Sequence, residues 1–341
     1  MFGAILYGKD DVRFEQREDP RILESTDAII RTVATCVCGS DLWRYRGIAP
    51  TPEPRAMGHE FVGIVEEVGA DVHAVRPGQF VIGGFQWSCG NCPVCEVGQQ
   101  ANCPNGGDYD GCQAEFIRIP QADGTLVATP EVPTDKGLIA GLLTLSDVMG
   151  TGWHAAVCAN VRPGGTAVVV GDGAVGLCGL IAARELGAER VIAMSRYPER
   201  QQLARDFGAT HIVAERGDDG VAAVMELTGG VGADSVLECV GTDASVDQAL
   251  RCARIGGQVG WVGLPHVERI DQSHMFWRNV GLRGGLAPAR EYLPTLLPRV
   301  LDGAIQPGRV FDVTLPLREV AEGYAAMHKR HAIKVLLDPA L

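Results

Sequence analysis

Basic residues are scarce in this 341-residue chain: 30 Lys and Arg stand against 42 Asp and Glu, a formal net charge of −12. Nucleic-acid backbones and anionic membrane surfaces are bound through clustered cations, so neither is an expected partner. An uninterrupted apolar run of spanning length is also missing. The most apolar stretch, TAVVVGDGAVGLCGLIAA from Thr166 to Ala183, carries Asp172 and four glycines, whereas a spanning helix needs about 20 predominantly apolar residues. The first residues, MFGAILYGKDDVRFEQ, lack the basic segment and apolar core of a secretory signal, which makes a cytoplasmic location the expectation. Internal repeats and low-complexity tracts are absent. The 11 cysteines are odd in number, and a large chain without a signal segment is a poor candidate for a disulfide framework. Cys36, Cys112, Cys158, Cys178, Cys239 and Cys252 lie among apolar residues and read as small buried hydrophobes.

With 46% hydrophobic and 21% charged residues, the chain can bury substantial cores, and its length suggests two domains. The first third reads as β-rich. Short apolar runs such as AIIRTVAT, EFVGIVEEVG and RPGQFVIGG are punctuated by Gly and Pro, the pattern of a compact, irregular barrel. At Thr151 the texture changes. The segment from Thr166 to Arg196 reads as strand, glycine turn, helix and strand, and DSVLECVG and GGQVGWVGLP follow as buried strands. Strands alternating with helices imply a parallel sheet covered on both faces. After Ala287 the pattern is helix and loop, with LPTLLPRVLDGAI as a helix and AIKVLLD as a closing strand.

Gly171-Asp172-Gly173-Ala174-Val175-Gly176 is G-x-G-x-x-G, set between the run Ala167 to Val170 and an Ala/Leu-rich helix. In that context it is a dinucleotide fingerprint. The first glycine permits the tight turn, the second lets the backbone approach a pyrophosphate, and the third lets helix and strand pack closely. The N–H groups of Ala174 and Val175 open a helix, whose start favours an anion. About 20 residues on, an NAD site has an acidic residue for the ribose 2′-hydroxyl. This chain has Ser195 and Arg196 there, with Arg200 beyond. A hydroxyl and guanidinium groups suit a 2′-phosphate, so NADP(H) is preferred over NAD(H). Glu215, near the end of the third strand of this region, speaks the other way.

Cys89, Cys92, Cys95 and Cys103 are spaced C-x2-C-x2-C-x7-C. Four thiolates within one loop close the tetrahedron that Zn²⁺ prefers and leave no open position, which marks a structural site. An iron–sulfur cluster is the competing reading, since related spacings hold one. Two further segments contain metal-ligand types: Cys36-Val37-Cys38-Gly39-Ser40-Asp41 and Gly58-His59-Glu60. Cys38 and His59 are ligands of the kind a catalytic zinc takes, but their spacing alone leaves a structural reading open.

The order CGSD, GHE, the four-cysteine loop and the G-x-G-x-x-G unit resembles the zinc-containing medium-chain dehydrogenase/reductase (alcohol dehydrogenase) superfamily over essentially the whole chain. The resemblance implies an α/β protein with a GroES-like β-rich catalytic domain at 1–151, a Rossmann doubly wound domain at 152–287, a return to the catalytic domain at 288–341, and a cleft between the two. It also favours zinc in the cysteine loop, so two zinc ions per chain are expected. It implies that Cys38, His59 and Asp147 hold a catalytic zinc acting as Lewis acid, that Glu60 approaches the metal during ligand exchange, and that Ser40 receives the substrate's proton. Where many relatives continue that relay with a histidine, this chain has Trp43, so the proton must leave by another route. His154 is an alternative histidine better read as packing. The loops after the later strands, with Val240, Gly263, Leu264, Gly285 and Leu286, are candidates for the nicotinamide half. Phe85 matches a pocket position of the family and Trp43 is a second candidate; both suit an apolar alcohol, aldehyde or ketone. An NAD-dependent polyol, threonine or formaldehyde dehydrogenase is the alternative on the same fold, and a nucleotide-binding protein without turnover is the alternative of another class. A homodimer or homotetramer, joined near Val280 to Leu286, follows by family analogy.

Overall fold

The computed structural model describes residues 1–49 and 53–341. Among these no helix is long and apolar enough to cross a membrane. The chain divides into two compact units, Met1–Asp147 with Pro288–Leu341, and Val148–Ala287.

The hub of the first unit is the strand Ala28–Val37, rich in β-branched residues and mostly buried. One of its edges pairs antiparallel with Phe61–Val68. Its other edge pairs first with Phe116–Ile119 and then with Lys334–Asp338, the last strand of the chain. The sheet runs Phe311–Pro316, Lys334–Asp338, Ala28–Val37, Phe61–Val68, Phe80–Gly83, Leu126–Ala128. The two ends of the chain therefore share a core: Leu6, Val37 and Tyr45 pack with Leu317, Tyr324 and Val335. A second buried cluster gathers Ile30, Phe61, Val81, Ile117 and Leu126.

The second unit is a six-stranded parallel sheet. In chain order its strands are Thr166–Val170, Arg190–Met194, His211–Val213, Ala233–Glu238, Ala253–Trp261 and Gly281–Gly284. Their spatial order is 3-2-1-4-5-6, the doubly wound arrangement in which ligands bind at the carboxyl ends where strand order reverses. The long apolar stretch met in the sequence is thus a central strand, the glycine turn and the helix Ala174–Glu185. The helix Val148–Cys158 packs along that helix, so the first unit ends at Asp147, four residues before the expected boundary.

Candidate metal centres and dinucleotide site

The four loop cysteines follow the strand Phe80–Gly83. Cys92 precedes the one-turn helix Pro93–Glu96, which contains Cys95, and Cys103 ends the turn Gln100–Asn102. Sγ of Cys92 lies 3.6 Å from that of Cys95 and 3.8 Å from that of Cys103, and the sulfurs of Cys103 and Cys89 are 3.5 Å apart. A tetrahedral zinc with Zn–S of about 2.3 Å sets its sulfurs about 3.8 Å apart, whereas a disulfide needs about 2.05 Å. This spacing has room for one ion and not for a multi-iron cluster. Burial pushes the Cys95 thiol up to about 12. For Cys89 burial acts the same way, but hydrogen bonds from the Asn91 backbone, Asn105 and the neighbouring thiols bring it down to about 6, the direction that favours binding a cation.

The second group is assembled from distant segments. Because Thr35 pairs with Phe61, the end of one strand and the start of the next bring Cys38 beside His59 and Glu60. Ser146 ties in the third segment: its hydroxyl donates to the Gly83 carbonyl at 2.7 Å and accepts from the Phe61 N–H at 3.2 Å, which sets Asp147 next to them. Asp147 Oδ2 lies 3.4 Å from Cys38 Sγ and 3.4 Å from His59 Nε2. Candidate ligand atoms of Cys38, His59, Glu60 and Asp147 all lie within 4.8 Å of one another.

Around these residues is a buried hydrogen-bonded shell whose members the sequence reading did not single out. Asp41 Oδ1 faces His59 Nδ1 at 3.4 Å, and its Oδ2 accepts from the Cys38 N–H at 3.0 Å and from Gln113 Nε2 at 3.3 Å. Tyr324 donates to Gln113 Oε1 at 3.0 Å. A carboxylate on Nδ1 orients the ring so that Nε2 points at the metal position. Gly58 makes the approach possible: its φ is +94°, and a Cβ there would lie 2.6 Å from Gln113 Cγ. Burial disfavours the charged form of His59, but the Asp41 and Asp147 carboxylates outweigh it and hold the ring well above the usual histidine range. The fourth member, Glu60, is tied to Lys334: Nζ lies 2.7 Å from Oε1 and 3.3 Å from the Val37 carbonyl, with both side chains 1% exposed. Glu60 Oε2 is buried without a hydrogen-bond partner. A thiol, an imidazole and two carboxylates converging around an orphaned carboxylate oxygen fit a cation. The signals in sequence were the Asp of CGSD and a lysine inside the apolar run AIKVLLD.

The other predicted site residues fall on both sides of this geometry. Ser40 stands at the start of the short helix Asp41–Tyr45, two residues beyond Cys38, without a side-chain cap to it, and is half-buried; Trp43 lies on the same helix and is half-buried too. Phe85 sits edge-on to His59 with ring centroids 6.4 Å apart. His154 lies in the second unit, buried in the helix Val148–Cys158 with Nε2 3.4 Å from Cys158 Sγ. Burial, helped by Arg283, lowers it to about 4, the neutral state of a packing histidine.

In the second unit the structure gathers the predicted dinucleotide residues at the carboxyl ends of the strands. A Cβ on Gly176 would fall 2.0 Å from the Gly171 carbonyl oxygen, so the third glycine is required by close approach. Val240 lies beside Gly171, and Gly241 lies against Gly263 and Leu264. Glu238 ties these loops: its Oε1 accepts from the Val240 and Gly241 N–H groups at 2.9 Å each. Gly285 donates to the Trp261 carbonyl at 2.8 Å, next to Leu286, which is 45% exposed. Ser195, Arg196 and Arg200 come together, but around a partner not anticipated. Asp172, the variable residue of the glycine turn, accepts from Ser195 Oγ at 3.1 Å and from the Arg196 N–H at 3.3 Å on Oδ2, and from Arg200 Nη1 at 3.3 Å on Oδ1. Arg216 Nη2 is 3.9 Å away. A carboxylate, absent from the end of the second Rossmann strand in sequence, reaches that place from the glycine turn.

Residues 24–131 match the family described as alcohol dehydrogenase GroES-like domain, and residues 174–302 match that described as zinc-binding dehydrogenase. A probable zinc-binding alcohol dehydrogenase of Mycobacterium tuberculosis is 36% identical over 97% of this chain and 86% of its own length. An L-threonine 3-dehydrogenase of Caldanaerobacter subterraneus is 29% identical over 98% of this chain and 97% of its own. The solved alcohol dehydrogenase of Thermus sp. ATN1 superposes with a TM-score of 0.92 at 33% identity, covering 99% of both chains.

Proposed function

Because this chain belongs to the zinc-containing alcohol dehydrogenase family, we propose that it interconverts an alcohol and its aldehyde or ketone at a zinc held by Cys38, His59 and Asp147. One observation carries this reading: Asp147 Oδ2 lies 3.4 Å from both Cys38 Sγ and His59 Nε2, while the fourth member of the group, Glu60, is engaged by Lys334, so that three ligands can hold the ion and leave a position open. When bound, zinc supplies Lewis-acid polarisation of a substrate oxygen and the nicotinamide supplies or accepts the hydride.

The chain's own residues do the rest. Asp41 fixes the His59 ring through Nδ1. Ser40, beside the ligand Cys38, offers the hydroxyl that takes the substrate's proton, with Trp43 closing the histidine route used by many relatives. Glu60 stands at the metal position with its second oxygen free while Lys334 restrains the first. Phe85, packed on His59, and Trp43 form apolar walls, which suits a hydrophobic substrate. Gly171, Gly173, Ala174, Val175 and Gly176 cradle the pyrophosphate, and Val240, Gly263, Leu264, Gly285 and Leu286 hold the nicotinamide half. NADP(H) is the form that Ser195, Arg196 and Arg200 favour. The loop cysteines hold a second, structural zinc. The chain assembles as a homodimer or homotetramer: Gly281–Gly284 is an edge strand, and Phe276 and Trp277 before it are 72% and 77% exposed.

The test is a panel of apolar alcohols, aldehydes and ketones with threonine and a polyol, followed by nicotinamide absorbance with both cofactors, together with metal analysis. Turnover of apolar substrates with two zinc ions per chain is the expected result. One zinc and no hydride transfer to any member of the panel would leave a binding protein instead.

A further inference from the structure

We infer that Asp172 is a specificity-determining residue for the cofactor: its carboxylate takes the place of a 2′-phosphate at the adenosine end, admits NAD(H), and limits the preference for NADP(H). The inference rests on the dinucleotide reading above and concerns a residue to which that reading gives no role.

Asp172 begins as the unconstrained position of G-x-G. The turn aims its side chain over the end of the neighbouring strand Arg190–Met194, where it is 9% exposed. There it engages Ser195 and Arg200, two of the side chains that recommend a 2′-phosphate, and the backbone of Arg196. Ser195 Oγ and the Arg196 N–H both donate to Oδ2, and Arg200 donates to Oδ1 and, at 3.2 Å, to the Asp172 carbonyl. Arg216 adds a second guanidinium at 3.9 Å. The carboxylate is thus an internal anion that satisfies an anion site.

Two consequences follow from charge and hydrogen bonding. With NAD(H), the ribose 2′-hydroxyl can donate to this carboxylate, the role a carboxylate from the end of the second strand has in an NAD site. With NADP(H), the phosphate meets the same donors and an anion among them. Like charges a few ångströms apart in a partly buried site oppose one another strongly. The arginines still attract the phosphate, so the carboxylate moderates the preference and does not abolish it.

The test compares Asp172→Asn and Asp172→Ser with the native protein by calorimetric titration of 2′-AMP, 5′-AMP, NADP⁺ and NAD⁺. Removing the like charge should tighten 2′-AMP and NADP⁺ by about tenfold or more, and weaken 5′-AMP and NAD⁺, which share the free ribose 2′-hydroxyl, by a few fold through the lost ribose contact. If 2′-AMP and 5′-AMP move together, or neither moves, Asp172 only shapes the turn and the inference fails. If the native protein binds none of the four, the dinucleotide reading itself fails. The serine variant keeps a short hydrogen-bonding side chain, and 5′-AMP binding retained within a few fold reports an intact turn in either variant.

Discussion

The cysteine loop and the Cys38–His59–Asp147 group each bring candidate ligand atoms within 4.8 Å of one another, yet they are built in opposite ways. The loop draws its four sulfurs from residues 89–103, on one-turn elements with little core of their own. The other group draws its ligands from three segments more than 100 residues apart at the extremes, fixed by strand pairing and by the Ser146 anchor. The loop offers four equivalent soft ligands and closes. The second group offers three different ones and an outer carboxylate restrained by Lys334. A local cage needs nothing beyond itself and can only stiffen its loop. A group gathered from several elements has shape, surrounding hydrogen bonds and a fourth carboxylate held back by Lys334, which is what the proposed chemistry at a metal requires.

Breaking the open group should have the largest effect on turnover. Asp147→Ala removes one of three ligands and should lower turnover by about a thousandfold, since Lewis-acid stabilisation is worth several kcal/mol. Metal content should fall from two zinc ions to one while dinucleotide binding is retained. Full activity in this variant would move the catalytic metal elsewhere. Cys38→Ala should behave alike.

A middle-sized effect is expected from the outer shell. Lys334→Met releases Glu60 Oε1 and leaves a buried carboxylate unpaired next to the metal position. Outer-shell changes typically alter metal affinity or activity by about 10- to 100-fold. Zinc at the open group should then exchange with a chelator at a changed rate, read by metal-release kinetics, while the loop zinc is unaffected. Lys334→Met combined with Glu60→Gln removes the stranded charge and should restore thermal stability more than exchange rate. If both sites release zinc exactly as before in the single variant, the ion pair is packing only.

The same contrast decided what could be read in advance. The four-cysteine cage was legible from spacing, because its ligands are neighbours in sequence and the C-x2-C turn geometry is local, while the choice of zinc over an iron–sulfur cluster came from the resemblance. The doubly wound sheet was legible too, since G-x-G-x-x-G sits between a β-branched run and an Ala-rich helix. Cys38, His59 and Asp147 carry no such spacing; resemblance, not residue pattern, singled them out. Asp41, Gln113, Lys334 and Tyr324 were missed because their partners lie up to 297 residues away along the chain and their polarity is cancelled by burial. Asp172 was missed for a related reason. Its position in the fingerprint tolerates most residues, and only the direction of the turn brings its carboxylate to Ser195 and Arg200.

The smallest effect on turnover should come from the more conspicuous motif. Cys103→Ala removes one of four thiolates from a cage whose sulfurs otherwise sit at zinc distances. Structural zinc binding is folding free energy, so the loss appears in stability: a fall in melting temperature of about 5–10 °C is the expected scale for a few kcal/mol in a chain of this size. Zinc content again drops from two to one, as in Asp147→Ala. Assayed well below the lowered melting point, however, turnover per folded molecule should stay within about twofold of native, because no ligand of the open group and none of its outer shell lies in residues 89–103. Two variants with the same metal count would then differ about a thousandfold in rate, in proportion to an open coordination position and not to the number of bound ions. Loss of turnover in folded Cys103→Ala, with the open group still holding its zinc, would show that the cage does more than hold its loop.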